Sequence, residues 1–567
     1  MITSNNTQEE IQNVIDAGGL VEFAPGIYEH AHYRITKPVH LIGHGAILVG
    51  GAKIIWQEES DGTLSCAAPV GQPLRTLVVD GALRTRCRLP ETGYWKHETV
   101  FDVKWLSTTE GGWARKPTRE ELTTIRVPEG VLNGLTLQSA EATVVHSWSD
   151  SLLPISRVDG DTITFEQPAD YPPGGFNVHD YCLWNVPEAL KKDGTFYHDT
   201  VNGKLYYRPL PGENCQTVAY LPEFDRIFYA DEALHDIEIE GFTLLCTEPS
   251  HIPCGFGAYC ISGAVDFGDA SDINLHDLTI TAVGGSGIRT TGQIHGMQIR
   301  HCLIYDVGAC GIRVGSNNPQ VKSEITDCRV HHVGRYYPSA IAISGRDCNI
   351  RHNEVFHTSY SAVICDGNNY TVEKNLIHDA MEVLNDGAAI YSGWSHGSVL
   401  RNNLVYGIHP KEGHPLRIAY YLDEQSRGWL VEHNVALDCA FPNHNHMCGE
   451  NTYRENIFLN SSGSLMFDMQ NAKWPCRYIG NVFSAADEIV VRMPKDGVEV
   501  FDNNRYHSKS GTIIRHLLNR YDVIEEKPLA MNESNHSIEA VSFPIHDRIF
   551  SVEDLTIDLT DVGPRSR

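Results

Sequence analysis

The runs Ile350-Arg351-His352-Asn353-Glu354-Val355, Val372-Glu373-Lys374-Asn375-Leu376-Ile377 and Leu400-Arg401-Asn402-Asn403-Leu404-Val405 are three copies of one pattern. An apolar residue is followed by a polar corner ending in Asn, and a second short apolar piece follows. Working outward, the pattern precedes these runs at Leu275–Ile280, Ile299–Ile304 and Ile325–Val330, and it follows them at Val431–Ala436, Tyr453–Phe458 and Tyr478–Phe483. Counted at the corner through Asp277, Cys302, Cys328, Asn353, Asn375, Asn403, Asn434, Asn456 and Asn481, the intervals are 25, 26, 25, 22, 28, 31, 22 and 25 residues. Self-similarity at such a period marks a solenoid, in which each unit buries its apolar face only against its neighbours. Leucine-rich repeats have a similar period, but their L-x-x-L-x-L-x-x-N pattern and helical half are missing. Here each unit continues into a further strand-like piece: G-I-R-V at 311–314, I-A-I-S at 341–344, A-V-I-C at 362–365. The expected fold is all-β: a right-handed parallel β-helix with strands stacked about 4.8 Å apart. The corner Asn residues have a structural reason, since Asn tolerates left-handed backbone angles and stacked carboxamides bond to one another.

Four segments follow. Residues 1–51 read as an N-terminal cap and first coils: Thr7–Ala17 has Ile11, Val14 and Ile15 at helical spacing and stops at Gly18-Gly19. Residues 52–230 lose the repeat and read as a mostly β inserted or accessory domain. There Asn202-Gly203 is a hairpin turn between Phe196-Tyr197-His198 and Lys204-Leu205-Tyr206-Tyr207, and Thr118 with Glu121 forms a capping box. Its tryptophans, Trp95, Trp105, Trp113, Trp148 and Trp184, either stack on a sugar or pack in a core, the commoner role. Residues 231–500 are the β-helix, and 501–567 a C-terminal cap with a short helix at Ile513–Leu518 and an acidic tail from Glu553-Asp554.

Composition narrows the function. The formal net charge of −27 and pI near 5.4 argue against nucleic acid and anionic membrane as partners. No run of 18 apolar residues occurs, and Met1-Ile2-Thr3-Ser4-Asn5-Asn6 has neither the basic nor the apolar region of a signal peptide, so a cytoplasmic protein is expected. The fifteen cysteines form no tight cluster, and Cys302 and Cys328 occupy repeat corners, which points to buried thiols. With no CxxC or HExxH pattern, no metal and no cofactor are expected.

The two longest intervals, Asn375 to Asn403 and Asn403 to Asn434, hold the residues with chemistry. Insertions in a solenoid gather on one face and build binding sites; here they include Gly387, Trp394, His396, His409, Lys411, Glu412, His414 and Arg417. Asp386 precedes the strand Ala388-Ala389-Ile390-Tyr391, and Asp423-Glu424 follows Ala419-Tyr420-Tyr421-Leu422 one coil later. Carboxyls on neighbouring coils suit glycosidic cleavage, in which one protonates the leaving oxygen and the other attacks or activates water. Each is equally a turn residue by its neighbours. In Asn443-His444-Asn445-His446 the period of two puts both imidazoles on one side, where they bind hydroxyls or a metal. His378, His357, His331 and His332 recur after successive corners and read as coil-turn residues.

N-D-G-A-A-I-Y-S-G, R-N-N-L-V, Y-Y-L-D-E-Q-S, V-E-H-N-V and N-H-N-H, in that order, resemble glycoside hydrolase family 141 and related β-helix hydrolases. Val186-Pro187-Glu188-Ala189-Leu190 and Gly203–Pro209 resemble that group's inserted domain. The resemblance implies Asp386 and Asp423 as the catalytic pair. A looser similarity to the family 120 β-xylosidases, in their L-D-x-E-x-Q-G stretch, keeps Glu424 as an alternative second carboxylate. Arg417-Ile418-Ala419-Tyr420 departs from the family's small, glycine-rich residues and implies a different pocket. The expected activity is hydrolysis of terminal sugars (xyloside, fucoside, galactoside or similar) from an oligosaccharide partner, with Tyr391, Trp394, Arg417, Tyr421, His444 and His446 holding the sugar. A polysaccharide lyase using Arg417, Lys411 or Arg335 against a uronate, and a non-catalytic carbohydrate-binding solenoid, are the alternatives.

Overall fold

The computed structural model describes the chain except residues 316–322, 412–414, 471–473, 495–499, 520–521, 529–548, 553–554, 560 and 566–567. Glu412, His414 and the acidic pair Glu553-Asp554 therefore lie outside the described residues.

The repeat folds as a parallel β-helix with three strands per coil. Thr371–Glu373, Leu376–His378 and Gly387–Ser392 stack on Val399–Arg401, Leu404–Tyr406 and Arg417–Leu422 of the next coil, all in parallel. The apolar positions line up coil after coil: Val372, Leu400, Val431, Tyr453 and Tyr478 form one buried column, and Ile377, Val405, Ala436, Phe458 and Phe483 another. In-register stacking keeps each apolar side chain on its like, so one continuous core runs the length of the solenoid.

The corner Asn residues form a buried ladder. Asn353 donates through Nδ2 to Asn375 Oδ1 at 3.0 Å, Asn375 to Asn403 at 2.9 Å, Asn403 to Asn434 at 2.9 Å, Asn434 to Asn456 at 3.1 Å, Asn456 to Asn481 at 2.9 Å and Asn481 to Asn504 at 2.9 Å. Two details correct the expectation. The left-handed backbone belongs to the residue before the ladder, as at His352 (φ 52°), Lys374 (54°), Asn402 (54°) and His433 (54°), and not to the ladder Asn itself. Further, Leu278 rather than Asp277 stands in register with Cys302, because Leu275 pairs with Ile299 and Thr279 with Leu303; Asp277 takes the preceding left-handed corner. The side chain that points inward must find a partner in the dry interior or carry no polar group, so carboxamides, thiols or, at Leu278, an aliphatic chain fill it.

At the amino end Thr7 caps the helix Gln8–Ala17 in a capping box with Glu10, and Ile11 and Ile15 close the core. Between Gly51 and Pro222 the chain leaves the solenoid and makes three small sheets of mainly antiparallel strands. Thr195–Asp199 pairs with Lys204–Arg208 across the Asn202-Gly203 turn, and Thr118 and Glu121 make the second capping box. This lobe is joined to the coils through a buried charge cluster. Glu141 takes both Arg75 (2.5 Å) and Arg86, and Arg75 also donates to Tyr337 Oη of the β-helix at 2.5 Å.

Near the carboxyl end, Ile513–Asn519 is a strand and not the expected helix: it extends the sheet beside Ile489–Pro494 and pairs back with Asp522–Pro528. The open sheet edge offered hydrogen bonds that overrode the local pattern. The tail also departs from a simple cap. Ile557, Leu559 and Val562 pack along the flank against Leu404, Val435, Ile457 and Val482, and Arg565 pairs with Asp327 at 2.7 Å. All fifteen cysteines are free thiols, thirteen of them buried.

Candidate active site

Along the third strand of successive coils, alternation sends Ile390, Tyr420 and Phe467 inward. Tyr391, Tyr421, His444, Asp468 and Arg492 form an outward column in direct register. Outward here does not mean exposed. The inserted lobe roofs the column with Trp105, Trp148, Tyr171 and Phe176, which meet edge to face or tilted at centroid distances of 4.5 to 5.8 Å. Roof and column enclose a cavity of about 520 Å³, also lined by Tyr360, Phe256, Asp386, Trp394, Leu416, Asp423, Glu424, His446 and Gln470.

The two long coils set the carboxylates. Residues 379–386, and on the next coil 407–411 with 415–416, lie at the same corner, before the third strand. Asp386 sits at the end of the first in a left-handed conformation (φ 54°), its N–H donating to Leu416 O at 2.8 Å and its carbonyl accepting from Tyr360 Oη at 2.7 Å. Its carboxyl accepts from Tyr421 Oη at 3.3 Å. Burial, helped by the charge of Asp423, pushes the Asp386 acid up to about 6, against the opposing pull of His446 and His444. Asp423 follows the third strand of the next coil. It accepts from Tyr391 Oη at 2.7 Å and from His446 Nδ1 at 2.7 Å. Burial alone would raise its pKa, but the His446 bond and charge outweigh it and hold Asp423 below the usual range. The imidazole responds in kind: burial pulls it down, yet Asp423 lifts His446 above its ordinary value. His444 Nδ1 lies 3.1 Å from Asp468, which is buried, and Arg492 holds that carboxylate at 2.6 Å from the far side.

Asp386, Asp423, Tyr391, Tyr421, His444, His446 and Trp394 thus meet at one cavity, with half-exposed Trp394 at its rim. Glu424 lines it too, but its carboxylate is occupied: it accepts from the backbone N–H of Thr108 (3.1 Å) and Thr109 (2.8 Å) and from the Thr109 hydroxyl. Glu424 therefore ties the roof to the coil, whereas the partners of Asp423 at the cavity are Tyr391 and His446. Arg417, expected to hold sugar, is buried and donates to the carbonyls of Glu382 and Val383 (3.3 and 2.9 Å), bracing the long corner from outside the cavity. His378 stacks between Phe356 and Tyr406 at 4.8 Å on a different face. Of the roof aromatics, the sequence offers Trp105 and Trp148 as residues of a sugar cleft or a core, whereas it does not single out Tyr171, Phe176, Tyr360 or Asp468. Asp468 had a usable signal, since L-M-F-D-M-Q occupies the strand position of N-H-N-H one coil on. Trp95 packs against the lobe's interior, and Trp184 packs in the cluster between lobe and coils, donating to Thr143 Oγ1 at 2.8 Å.

No family model matches this sequence, and no curated protein matches it. Two solved structures share the architecture. One, described as "Glycoside hydrolase", has a TM-score of 0.61 at 20% identity and covers 79% of this chain and 90% of its own. The other, "The complex structure of XylC with xylose", has a TM-score of 0.51 at 11% identity, covering 89% of this chain and 85% of its own. At such identities the likeness speaks for the fold; chemistry has to be argued from the site.

Proposed function

We propose that this chain is a glycoside hydrolase that removes terminal sugars from oligosaccharides, with Asp386 and Asp423 as its two working carboxyls. One observation carries the reading: two aspartates facing one aromatic-lined cavity are pushed in opposite directions, Asp386 toward the acid and Asp423 toward the carboxylate. Splitting two like groups in this way is how a site keeps an acid and a base at one pH. Asp386, protonated below about pH 6, donates to the glycosidic oxygen as the bond breaks. Asp423, ionised and braced by His446 and Tyr391, faces the developing positive charge at the anomeric carbon and attacks it or activates water. Trp105, Trp148 and Trp394 offer faces for the apolar side of a pyranose, and His444, oriented by Asp468, meets its hydroxyls. The named structural relatives, a glycoside hydrolase and a xylose complex, are consistent with sugar chemistry on this fold.

A lyase would need a cation beside the base. Of its candidate residues, Arg417 braces carbonyls, Arg335 pairs with Asp306 at 2.6 Å, and neither these nor Lys411 line the cavity.

The test is a panel of aryl glycosides (xyloside, fucoside, galactoside, arabinoside) with Asp386→Asn and Asp423→Asn beside the wild type. Each substitution should lower kcat at least about 100-fold on the sugar the wild type cleaves. Full activity in either variant removes that residue from the mechanism, and a wild type that binds sugars of the panel but cleaves none of them supports a binding solenoid instead.

A further inference from the structure

A second, smaller cavity of about 180 Å³ adjoins the first toward the amino-terminal coils. The two share Phe256, Tyr391 and Trp394, so one wall serves both. Strand register explains the new lining. Ile364 pairs with Tyr391, which brings Asp366 abreast of Gly393, and Arg346 pairs directly with Asp366 one coil further back. Coils are spaced about 4.8 Å apart, so two coils correspond roughly to the advance of a sugar chain by two units. The chemistry suits a sugar as well as the spacing does. A carboxylate beside a guanidinium presents an acceptor and donors to neighbouring hydroxyls, while Trp394 and Phe256 offer flat apolar faces.

We propose that this pocket is a second sugar-binding subsite, holding the unit next to the one in the main cavity through Asp366 and Arg346, so that the substrate is an oligosaccharide of at least two pyranose units. The inference rests on the hydrolase reading and deepens it. Asp366 plays no part in the Asp386–Asp423 chemistry, yet it is not a plain surface carboxylate. Burial raises it to about 6, against the opposing charge of Arg346 and an N–H from Gly393. A carboxyl desolvated at a cavity mouth gains most when hydroxyl donors meet it.

The experiment takes the sugar identified by the aryl-glycoside panel and compares kcat/KM on that aryl glycoside with kcat/KM on the disaccharides of the same sugar. Wild type, Asp366→Asn, Arg346→Ala and Arg346→Lys are assayed side by side. The ratio of disaccharide to aryl glycoside should fall about tenfold, through KM, in Asp366→Asn and Arg346→Ala, the size of one charge-assisted hydrogen bond. Arg346→Lys should recover part of it. Arg346 is exposed, so its truncation tests the subsite without threatening the core. A ratio within twofold of wild type in both variants, or a wild type that ignores every disaccharide, overturns the subsite. If Asp386→Asn is inactive while the ratio holds, the hydrolase reading survives and only the subsite falls. An active Asp386→Asn removes the reading beneath it.

Discussion

Replacing Asn403 by Ala should open the ladder between the two coils that carry Asp386 and Asp423. In the native protein Asn403 donates through Nδ2 to Val372 O (3.0 Å) and Asn434 Oδ1 (2.9 Å), and its Oδ1 accepts from the backbone N–H (3.0 Å) and side-chain Nδ2 (2.9 Å) of Asn375. All three asparagines are fully buried. Truncation therefore leaves two N–H donors of Asn375, both buried, without their acceptor. Each such orphan costs about 1–3 kcal/mol, so roughly 3–4 kcal/mol is expected, with the vacated amide volume adding to it. A solenoid of this length need not unfold in one step, so a single unfolding free energy is a poor readout. Native-state hydrogen exchange on a peptide spanning 372–378 reads the local opening directly: protection of the Asn375 amide should fall several-hundredfold, since 1.36 kcal/mol is a factor of ten. A fall below about threefold would refute the claim that the ladder holds these coils in register. So would an equal loss on the distant Ile273–Leu275 strand, which would indicate general destabilisation.

The activity should follow a bell in pH. Asp386 must be protonated, so kcat/KM should drop as pH rises through about 6, while the acid limb lies below the ordinary carboxylate value because His446 keeps Asp423 ionised; an alkaline limb above pH 7 would show that another group is the acid. The sign for stability is the same: Asp386 holds its proton more tightly in the folded chain than at its ordinary value of 3.8, so its contribution is present at low pH and is lost as pH rises from 3.8 to about 6. Glu141→Gln should destabilise the joint between lobe and coils by roughly 3–5 kcal/mol, because it strands two buried guanidinium groups, and limited proteolysis of the lobe should accelerate. Glu424→Gln should raise KM several-fold with little change in thermal midpoint, since it loosens the roof at Thr108 and Thr109 and leaves Asp423 in place; a selective loss of kcat would return Glu424 to the catalytic list.

The solenoid was legible because its cause is local. A coil of about 25 residues must repeat its apolar face to bury it, and the repeat is written in Val372, Leu400 and Val431 as plainly as in the stack they form. Asp386, Asp423 and the His444–His446 strand were legible for the same reason, since strand alternation and coil register place them on one face. The reach of Arg417 and Glu424 was not. Both stand at positions that local pattern allows to face a sugar, but Arg417 meets the carbonyls of residues 382–383 on the preceding coil, and Glu424 meets a loop more than 300 residues earlier. The roof itself came from that distant lobe, whose aromatics read alike as core or cleft until their neighbours were known. Periodicity specifies which way a side chain leaves the backbone. What it meets there, and whether burial then drives a carboxyl toward the acid or a neighbour holds it as the anion, depends on contacts that only the folded chain brings together.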